Sequence, residues 1–283
     1  MSQPALSGAV AALEESLGTQ LVERTTRKVL LTAAGERVAH RAALVLAELD
    51  RLVEEVRAER GPLTGALRIG VIPTVAPYLL PAVLPRLAKD FPELSLSVRE
   101  EQTDPSLAEL LQGRLDVVIL ALPAPAAGLV ERPLYDEDFV LVAPESYDLE
   151  SEEDGEGLLS RRVLGDLDVL LLNEGHCLRD QTLDICREVG ARAAAATYAT
   201  SLATLVQLVS GGLGVTLVPE SAVQAETRRG GGLTVRHFAQ PAPYRRIGIA
   251  YRATSPRAAE FDAFAASVRA AVRARRWNVR VLD

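Results

Sequence analysis

The sequence predicts an α/β protein in which two α/β lobes follow a small N-terminal segment and one long helix. Two observations predict this class. Apolar residues recur at helical spacing over residues 32–60, and from residue 66 onward short apolar strands alternate twice with helical stretches. The chain has 283 residues and is 48% hydrophobic, which is enough to form substantial cores.

The N-terminal segment predicts a helix followed by a β-hairpin. Ser2 is the predicted N-cap, Pro4 is tolerated in the first turn, and Gly18 is the predicted end of the helix. Next, QLVERTTRKVLLTAAG has two short apolar runs around a basic turn from Arg24 to Lys28. This pattern is typical of a hairpin or wing.

One long helix is predicted from Thr32 to Arg60. Its apolar residues form a seam like that of a coiled coil, with charged residues elsewhere. Because such a seam needs a partner, we expect residues 34–61 to form a linker and dimerisation arm. The alternative is a surface helix packed on its own domain.

The remainder, residues 66–283, predicts two lobes with a cleft between them, the second covering about residues 144–243. The strands ALRIGVI, LSLSVRE and LDVVILAL alternate with helices, which predicts a parallel sheet covered by helices. A second round comprises DVLLLN, a helix containing both cysteines, ATSLATLVQLVSGG and GVTLVP. The strand RRIGIAYR and a terminal helix follow.

Composition excludes several classes of protein. No apolar run approaches the roughly 18 residues of a membrane span, and the start lacks the pattern of a signal peptide. We therefore expect a cytoplasmic protein without a membrane partner, and two cysteines do not make a disulfide scaffold. The net charge of −7 argues against binding nucleic acid by bulk attraction, so DNA binding would need a local patch.

Both cysteines lie in one segment, EGHCLRDQTLDIC, which reads as a helix. Cys186 follows Cys177 by nine residues. In a helix this spacing places their Cα atoms about 13 Å apart. A disulfide needs a separation of about 5.5 Å, so the pair cannot be bridged while the helix is intact.

These elements, in this order, resemble a LysR-type transcriptional regulator. SQPALS resembles the start of the family's recognition helix, LVERTTRKVLLTAAG its wing, and the lobes its effector domain, which has the fold of periplasmic binding proteins. IPTVAPYLLP, EQT, VILAL and EGHCLRDQTLDIC resemble the family's hydrogen peroxide sensors. The likeness covers essentially the whole chain.

The resemblance implies a partial winged helix-turn-helix at residues 1–33. Family members begin with further helices. A valine codon read as the start would explain Met1, and a chain that is shortened at this point is the alternative. A recognition helix needs its packing partner, so DNA binding by the chain depends on this point.

The resemblance also implies a redox switch. Peroxide oxidises a thiolate to sulfenic acid, and a second thiol condenses with it to a disulfide. Cys177 follows His176 at the predicted helix N-terminus and is near Arg179, so we expect it to have a lowered pKa and to attack peroxide. Cys186 is the expected resolving thiol, and closure of the pair would unravel the helix.

Four more residues are expected around the peroxide from the resemblance. Hydroxyl and imidazole groups can hold peroxide, and a guanidinium can stabilise the thiolate and the leaving hydroxide. Alternatively, the threonines only end or cap elements and the cysteines are small buried hydrophobes. A metal site formed by His176 and the cysteines would have too few ligands, and no cofactor is expected. The four residues are Thr74, Thr103, His176 and Arg245, with Arg246 as the alternative to Arg245.

Contacts with DNA are expected from the start of the first helix and from the wing. Residues 1–41 carry five Arg or Lys against four Asp or Glu, so an ordinary small helical domain is the alternative. Two copies would bind two half-sites. The expected DNA-binding residues are Ser2, Gln3, Pro4, Ser7, Arg24, Thr25, Arg27 and Lys28.

Together these features predict a peroxide-sensing transcriptional regulator that is not an enzyme. Its expected partners are promoter DNA, hydrogen peroxide, further copies of the chain in a homodimer or homotetramer, and RNA polymerase. One alternative is a regulator that binds a small organic effector between the lobes, its cysteines incidental. Another is a thiol peroxidase, which would not account for the linker helix or the wing.

Overall fold

Two α/β lobes follow an N-terminal helix, a hairpin and a long helix, which confirms the predicted fold class. The computed structural model describes most of the chain. The described residues are 3–24, 29–57, 63–149, 153–228, 231–275 and 277–283.

From residue 65 onward, strands and helices alternate through most of the chain, and one 3₁₀ helix spans Arg161–Asp166. The α-helices are α1 (Gln3–Leu17), α2 (Ala33–Arg57), α3 (Ala76–Asp90), α4 (Thr103–Leu111), α5 (Cys177–Val189), α6 (Leu202–Ser210), α7 (Glu220–Thr227) and α8 (Ala258–Arg275). The strands are β1 (Val22–Arg24), β2 (Val29–Leu31), β3 (Gly65–Val71), β4 (Leu94–Glu100), β5 (Val117–Leu122), β6 (Leu129–Pro144), β7 (Asp168–Leu172), β8 (Arg192–Ala199), β9 (Thr216–Pro219), β10 (Leu233–Arg236), β11 (Tyr244–Arg252) and β12 (Val279–Val281).

The N-terminal elements follow the sequence closely. Helix α1 ends before Gly18, whose φ of +62° is a conformation that favours glycine. Strands β1 and β2 pair antiparallel as a hairpin. The predicted long helix begins one residue later than expected, because Thr32 caps α2 by accepting a hydrogen bond from the Gly35 amide at 3.0 Å. The predicted cap Ser2 and the predicted helix end Arg60 lie outside the described residues.

The first lobe has the predicted parallel sheet. Strand β3 lies between β4 and β5 and is parallel to both. Strand β11 then adds antiparallel to β5, and α3 and α8 pack together against the sheet. The sheet therefore carries an antiparallel edge on an otherwise parallel core.

The second lobe departs from a purely parallel arrangement because β6 is shared by both lobes. The first part of this 16-residue strand pairs with β11, and the last part pairs antiparallel with β9 and β10. Only β7 and β8 pair parallel among the strands described there. The sequence did not predict β6, β8, β10, β12 or α7.

Two hydrophobic cores result, one in each lobe, and Trp277 packs against both. The two cysteines contact different cores. Cys177 packs against the first core, whereas Cys186 is part of the second. Across the helices that the structure describes, none combines the length and apolar character needed to cross a membrane.

Candidate redox site

Cys177 is the first residue of α5, at the junction of the lobes. The turn before it contains Gly175, whose φ is +89°. A Cβ on this glycine would lie 2.4 Å from the side-chain oxygen of Gln102, so the turn packs tightly against the residue that precedes α4. Gln102 also donates a hydrogen bond to the Glu174 carbonyl at 3.4 Å. Helices α4 and α5 therefore begin beside each other, with their positive ends at the thiol.

Arg245 is the centre of a buried hydrogen-bond network at this junction. Its Nε donates to Glu137 Oε1 at 2.8 Å, and its two terminal nitrogens donate to Thr74 Oγ1 at 2.9 Å and the Thr74 carbonyl at 3.0 Å. The side chains of Arg245 and Glu137 are both 0% exposed. The second oxygen of Glu137 accepts from the Ser221 amide at 3.1 Å. The network thereby joins β11, β6, the turn before α3 and the start of α7.

Arg246 has a different environment. It forms a two-point ion pair with Asp136 at 2.7 and 3.0 Å, and its side chain is 43% exposed. Successive residues of a strand face opposite sides of the sheet. The structure therefore places Arg245, not Arg246, in the buried junction.

The structure corrects the expected pKa of Cys177. Burial raises the pKa of this thiol above its ordinary value, and the positive charge of Arg245 opposes the shift. The Thr103 hydroxyl and hydrogen bonds from the backbone at Ala121 and Leu178 also oppose it. The local sequence indicated the helix N-terminus and Arg179, which instead donates a hydrogen bond to the Leu172 carbonyl at 3.1 Å. The packing of the first lobe against the thiol is a tertiary effect.

Thr103 and His176 each carry a buried polar atom without a hydrogen-bond partner among the described residues. The atoms are Thr103 Oγ1, which nevertheless lies close enough to lower the pKa of Cys177, and His176 Nδ1. Burial lowers the pKa of His176, although a hydrogen bond with the backbone of Thr200 opposes this, so the imidazole is neutral at pH 7. Both residues can accept or donate a hydrogen bond to a small polar molecule.

The predicted residues line three cavities, of which one, of about 490 Å³, is lined by Arg245 and Arg246. Thr74 and His176 line a cleft of about 300 Å³ between the lobes, where the Tyr78 hydroxyl of α3 donates to Glu226 of α7 at 2.6 Å. Thr103 and Cys177 line a separate cavity of about 320 Å³. Arg245 connects the latter two, because it binds Thr74 directly and acts electrostatically on Cys177.

Cys186 is buried at 2% exposure in the second core, and burial raises the pKa of its thiol. Both cysteines are free thiols. Because they begin and nearly end the same helix, their Cα atoms are separated by about 13 Å of helix axis, as the sequence predicted. The structure represents a reduced arrangement.

The described part of the predicted DNA-binding surface is small. Pro4 and Ser7 are exposed on α1. Gln3 begins α1 and Arg24 ends β1. The remaining predicted residues lie outside the described part of the chain, namely Ser2, Thr25, Arg27 and Lys28.

Glu137 is the residue at the junction that the sequence did not indicate. It lies in a charged stretch of β6, and its partner Arg245 follows 108 residues later. No local pattern links the two. A buried carboxylate becomes recognisable only when the antiparallel pairing of β6 and β11 is known, since that pairing places Glu137 opposite Arg245.

The raised pKa of Cys177 predicts a steep pH dependence of its alkylation. The thiolate is the nucleophile, and its fraction rises about tenfold per pH unit below the pKa. We therefore expect the alkylation rate of Cys177 in the reduced protein to rise about tenfold per unit between pH 6 and pH 8. Rates from time-resolved mass spectrometry would check this, with the buried Cys186 as the slow internal control. A rate that levels off below pH 7 would contradict it.

Comparisons with known proteins agree with this architecture. Residues 60–273 match the LysR substrate binding domain, and residues 1–36 match the bacterial regulatory helix-turn-helix protein of the lysR family. The probable hydrogen peroxide-inducible genes activator of Streptomyces viridosporus is 59% identical over 274 residues, covering 96% of this chain and 86% of that protein.

Two further relatives carry the name OxyR. The DNA-binding transcriptional dual regulator OxyR of Escherichia coli is 41% identical over 270 residues, covering 95% of this chain and 87% of that protein. The hydrogen peroxide-bound structure of Corynebacterium glutamicum OxyR, with a cysteine-to-serine substitution, has a TM-score of 0.73 and 43% identity, covering 97% of this chain and 85% of that one. The chain belongs to the LysR family of bacterial transcriptional regulators.

Proposed function

We propose that this chain is a hydrogen-peroxide-sensing transcriptional regulator switched by oxidation of Cys177 and disulfide formation with Cys186. One observation carries the proposal. Cys177 begins α5 beside Thr103 and within the field of Arg245, while the only other cysteine lies in the same helix but in the other core. The names of the relatives support the same response.

In the proposed reaction, the Cys177 thiolate attacks one peroxide oxygen and the O–O bond breaks. The sulfur becomes a sulfenic acid, and the leaving hydroxide takes up the proton that the thiol released. Thr103, which lines the Cys177 cavity, would hold the peroxide by a hydrogen bond, and Arg245 would stabilise both thiolate and hydroxide. The neutral His176 lines the neighbouring cleft and would add a hydrogen bond once its ring turns toward Cys177. The Cys186 thiol then attacks the sulfenic sulfur, and the second oxygen leaves as water.

The disulfide would change how the lobes pack, and the N-terminal segment would transmit the change to promoter DNA. We propose residues 1–33 as a partial DNA-binding domain, 34–61 as the dimerisation helix and 66–283 as the effector domain. Val45, Leu46 and Leu49 of α2 are 54–62% exposed, which favours a second copy of the chain as their partner. Oxidation consumes both thiols once, so the chain would act as a regulator and not as an enzyme.

A crosslink experiment tests the proposal. Reduced protein is treated with one equivalent of hydrogen peroxide, quenched with a thiol alkylator, digested and analysed by mass spectrometry. We expect a peptide that links Cys177 to Cys186, and we expect Cys177→Ser to abolish it. If both cysteines are still free enough to be alkylated after excess peroxide, the proposal is refuted. Sustained turnover of peroxide with a reductant would favour a thiol peroxidase.

Binding to promoter DNA is tested on the same samples. Fluorescence anisotropy with a labelled fragment from upstream of the gene would compare reduced and oxidised protein. We expect peroxide to change the affinity or salt dependence for the wild type and not for Cys177→Ser. The same change in DNA affinity in both proteins would mean that oxidation of Cys177 does not control DNA binding.

A further inference from the structure

We propose that three aspartates lining the Cys177 cavity restrict this thiol to uncharged reagents. We call Asp104, Asp180 and Asp184 the acidic rim. The proposal rests on the proposed function for its biological meaning, because it would make the sensor selective for hydrogen peroxide over anionic oxidants and anionic thiols. The electrostatic argument, which concerns the charges around the cavity, does not depend on that function.

The cavity is built around the thiol. It has a volume of about 320 Å³ and is the cavity that Cys177 lines. Two of its lining residues, Thr103 and Gln181, present side-chain oxygens that are buried and have no hydrogen-bond partner in the described part of the chain. Thr103 itself is only 7% exposed. Thr103 and Gln181 thus supply hydrogen-bonding groups beside the thiol, as an uncharged peroxide would need.

Without the rim, this cavity would attract anions. The first residues of α4 and α5, Thr103 and Cys177, both line it, and backbone N–H groups at a helix start favour negative charge. The buried guanidinium of Arg245 adds a positive charge that acts on Cys177. A negatively charged oxidant or thiol would therefore be drawn to Cys177 as readily as its substrate.

The rim opposes this attraction. Asp104 lies in the first turn of α4, Asp180 in the first turn of α5, and Asp184 one turn further along α5. All three residues line the cavity and are exposed. Arg187 pairs with Asp184 at 2.5 Å, but no ion pair engages Asp104 or Asp180 among the residues that the structure describes. An anion in the cavity beside Cys177 is repelled by at least two carboxylates that have no ion-pair partner within the described ranges, whereas hydrogen peroxide is uncharged.

Acidic residues in the first turn of a helix also have an ordinary structural role, since they stabilise the helix. That role alone predicts a change in stability when they are neutralised. It predicts no difference between charged and uncharged reagents of the same size. The ratio of two such rates therefore distinguishes the rim from simple helix stabilisation.

Iodoacetamide and iodoacetate provide this ratio, because they share an electrophilic carbon and differ in charge. The rates of Cys177 alkylation by each would be measured at low salt for the reduced full chain and for the double variant D104N/D180N. Any change in the thiolate fraction alters both rates equally and cancels in the ratio. We expect the iodoacetamide-to-iodoacetate ratio to fall about fivefold in the double variant, and less at high salt.

The control variant E188Q/D262N removes two exposed carboxylates that do not line the cavity. We expect it to leave the ratio unchanged. An unchanged ratio in folded D104N/D180N, or an equal fall in the control, would overturn the proposal. Alkylation needs neither peroxide nor disulfide formation. The acidic-rim proposal can therefore fail while the crosslink experiment succeeds, and the reverse.

Discussion

Replacing Glu137 with glutamine is expected to lower the free energy of unfolding by about 3–5 kcal/mol, because it leaves the Arg245 guanidinium buried without a carboxylate partner. Arginine cannot release its charge inside a protein. The amide oxygen of glutamine can still accept one hydrogen bond, from Arg245 or from the Ser221 amide, but it carries no charge. The substitution therefore removes the compensation of a charge that is 0% exposed.

Urea denaturation of the reduced protein, followed by circular dichroism, measures this change. The matched control is Glu188→Gln, the same chemical change in a surface pair in which Glu188 is 62% exposed and lies 3.0 Å from Arg161. Surface pairs contribute about 0–1 kcal/mol, so we expect little effect there. Equal losses of unfolding free energy in the two variants would mean that the buried Glu137–Arg245 pair matters no more for stability than a surface pair.

The same network explains which parts of the site the sequence can and cannot predict. The start of α5 at Cys177, the burial of Cys186 and the parallel order of β3, β4 and β5 depend on local patterns, and the structure contains them. Glu137 and the choice of Arg245 over Arg246 depend on how β6 pairs with β11. That pairing joins residues more than one hundred positions apart, and no local pattern encodes it.

The missed strand β6 has a related physical cause. Its sequence, LVERPLYDEDFVLVAP, places Asp136, Glu137 and Asp138 in a row, which locally resembles a solvated loop. In the fold each acid has a basic partner from a distant element, namely Arg246, Arg245 and Arg280. Because the distant arginines compensate these negative charges, the segment forms a strand although its local sequence favours a loop.

The raised pKa of Cys177 follows from packing in the same way. A helix N-terminus alone favours the thiolate, and the sequence predicted that effect. In the structure the thiol also packs against the core of the first lobe, and burial raises its pKa by more than Arg245 and the nearby hydrogen bonds lower it. The packing therefore favours the protonated thiol of Cys177, although the residue is half-buried and lines a cavity.

Oxidation by peroxide is expected to remove the hydrogen-exchange protection of the α5 amides, by at least about 100-fold for residues 178–186. The disulfide requires Cα atoms about 5.5 Å apart, whereas the intact helix separates Cys177 and Cys186 by about 13 Å. Several turns of α5 must open for the sulfurs to meet. Cys177 must also leave the first core while Cys186 starts in the second, so the bond forms at the expense of contacts between the lobes.

Hydrogen exchange with mass spectrometry on reduced and oxidised protein checks this expectation, with α6 (Leu202–Ser210) as the internal control that should keep its protection. Cys186→Ser treated with the same peroxide is the chemical control. It can form the sulfenic acid at Cys177 but has no thiol to close the disulfide, so α5 should stay protected. Loss of protection in Cys186→Ser would place the switch at the sulfenic acid. Protection retained in a crosslinked wild type would contradict the unwinding of α5, because the intact helix cannot hold the two sulfurs together.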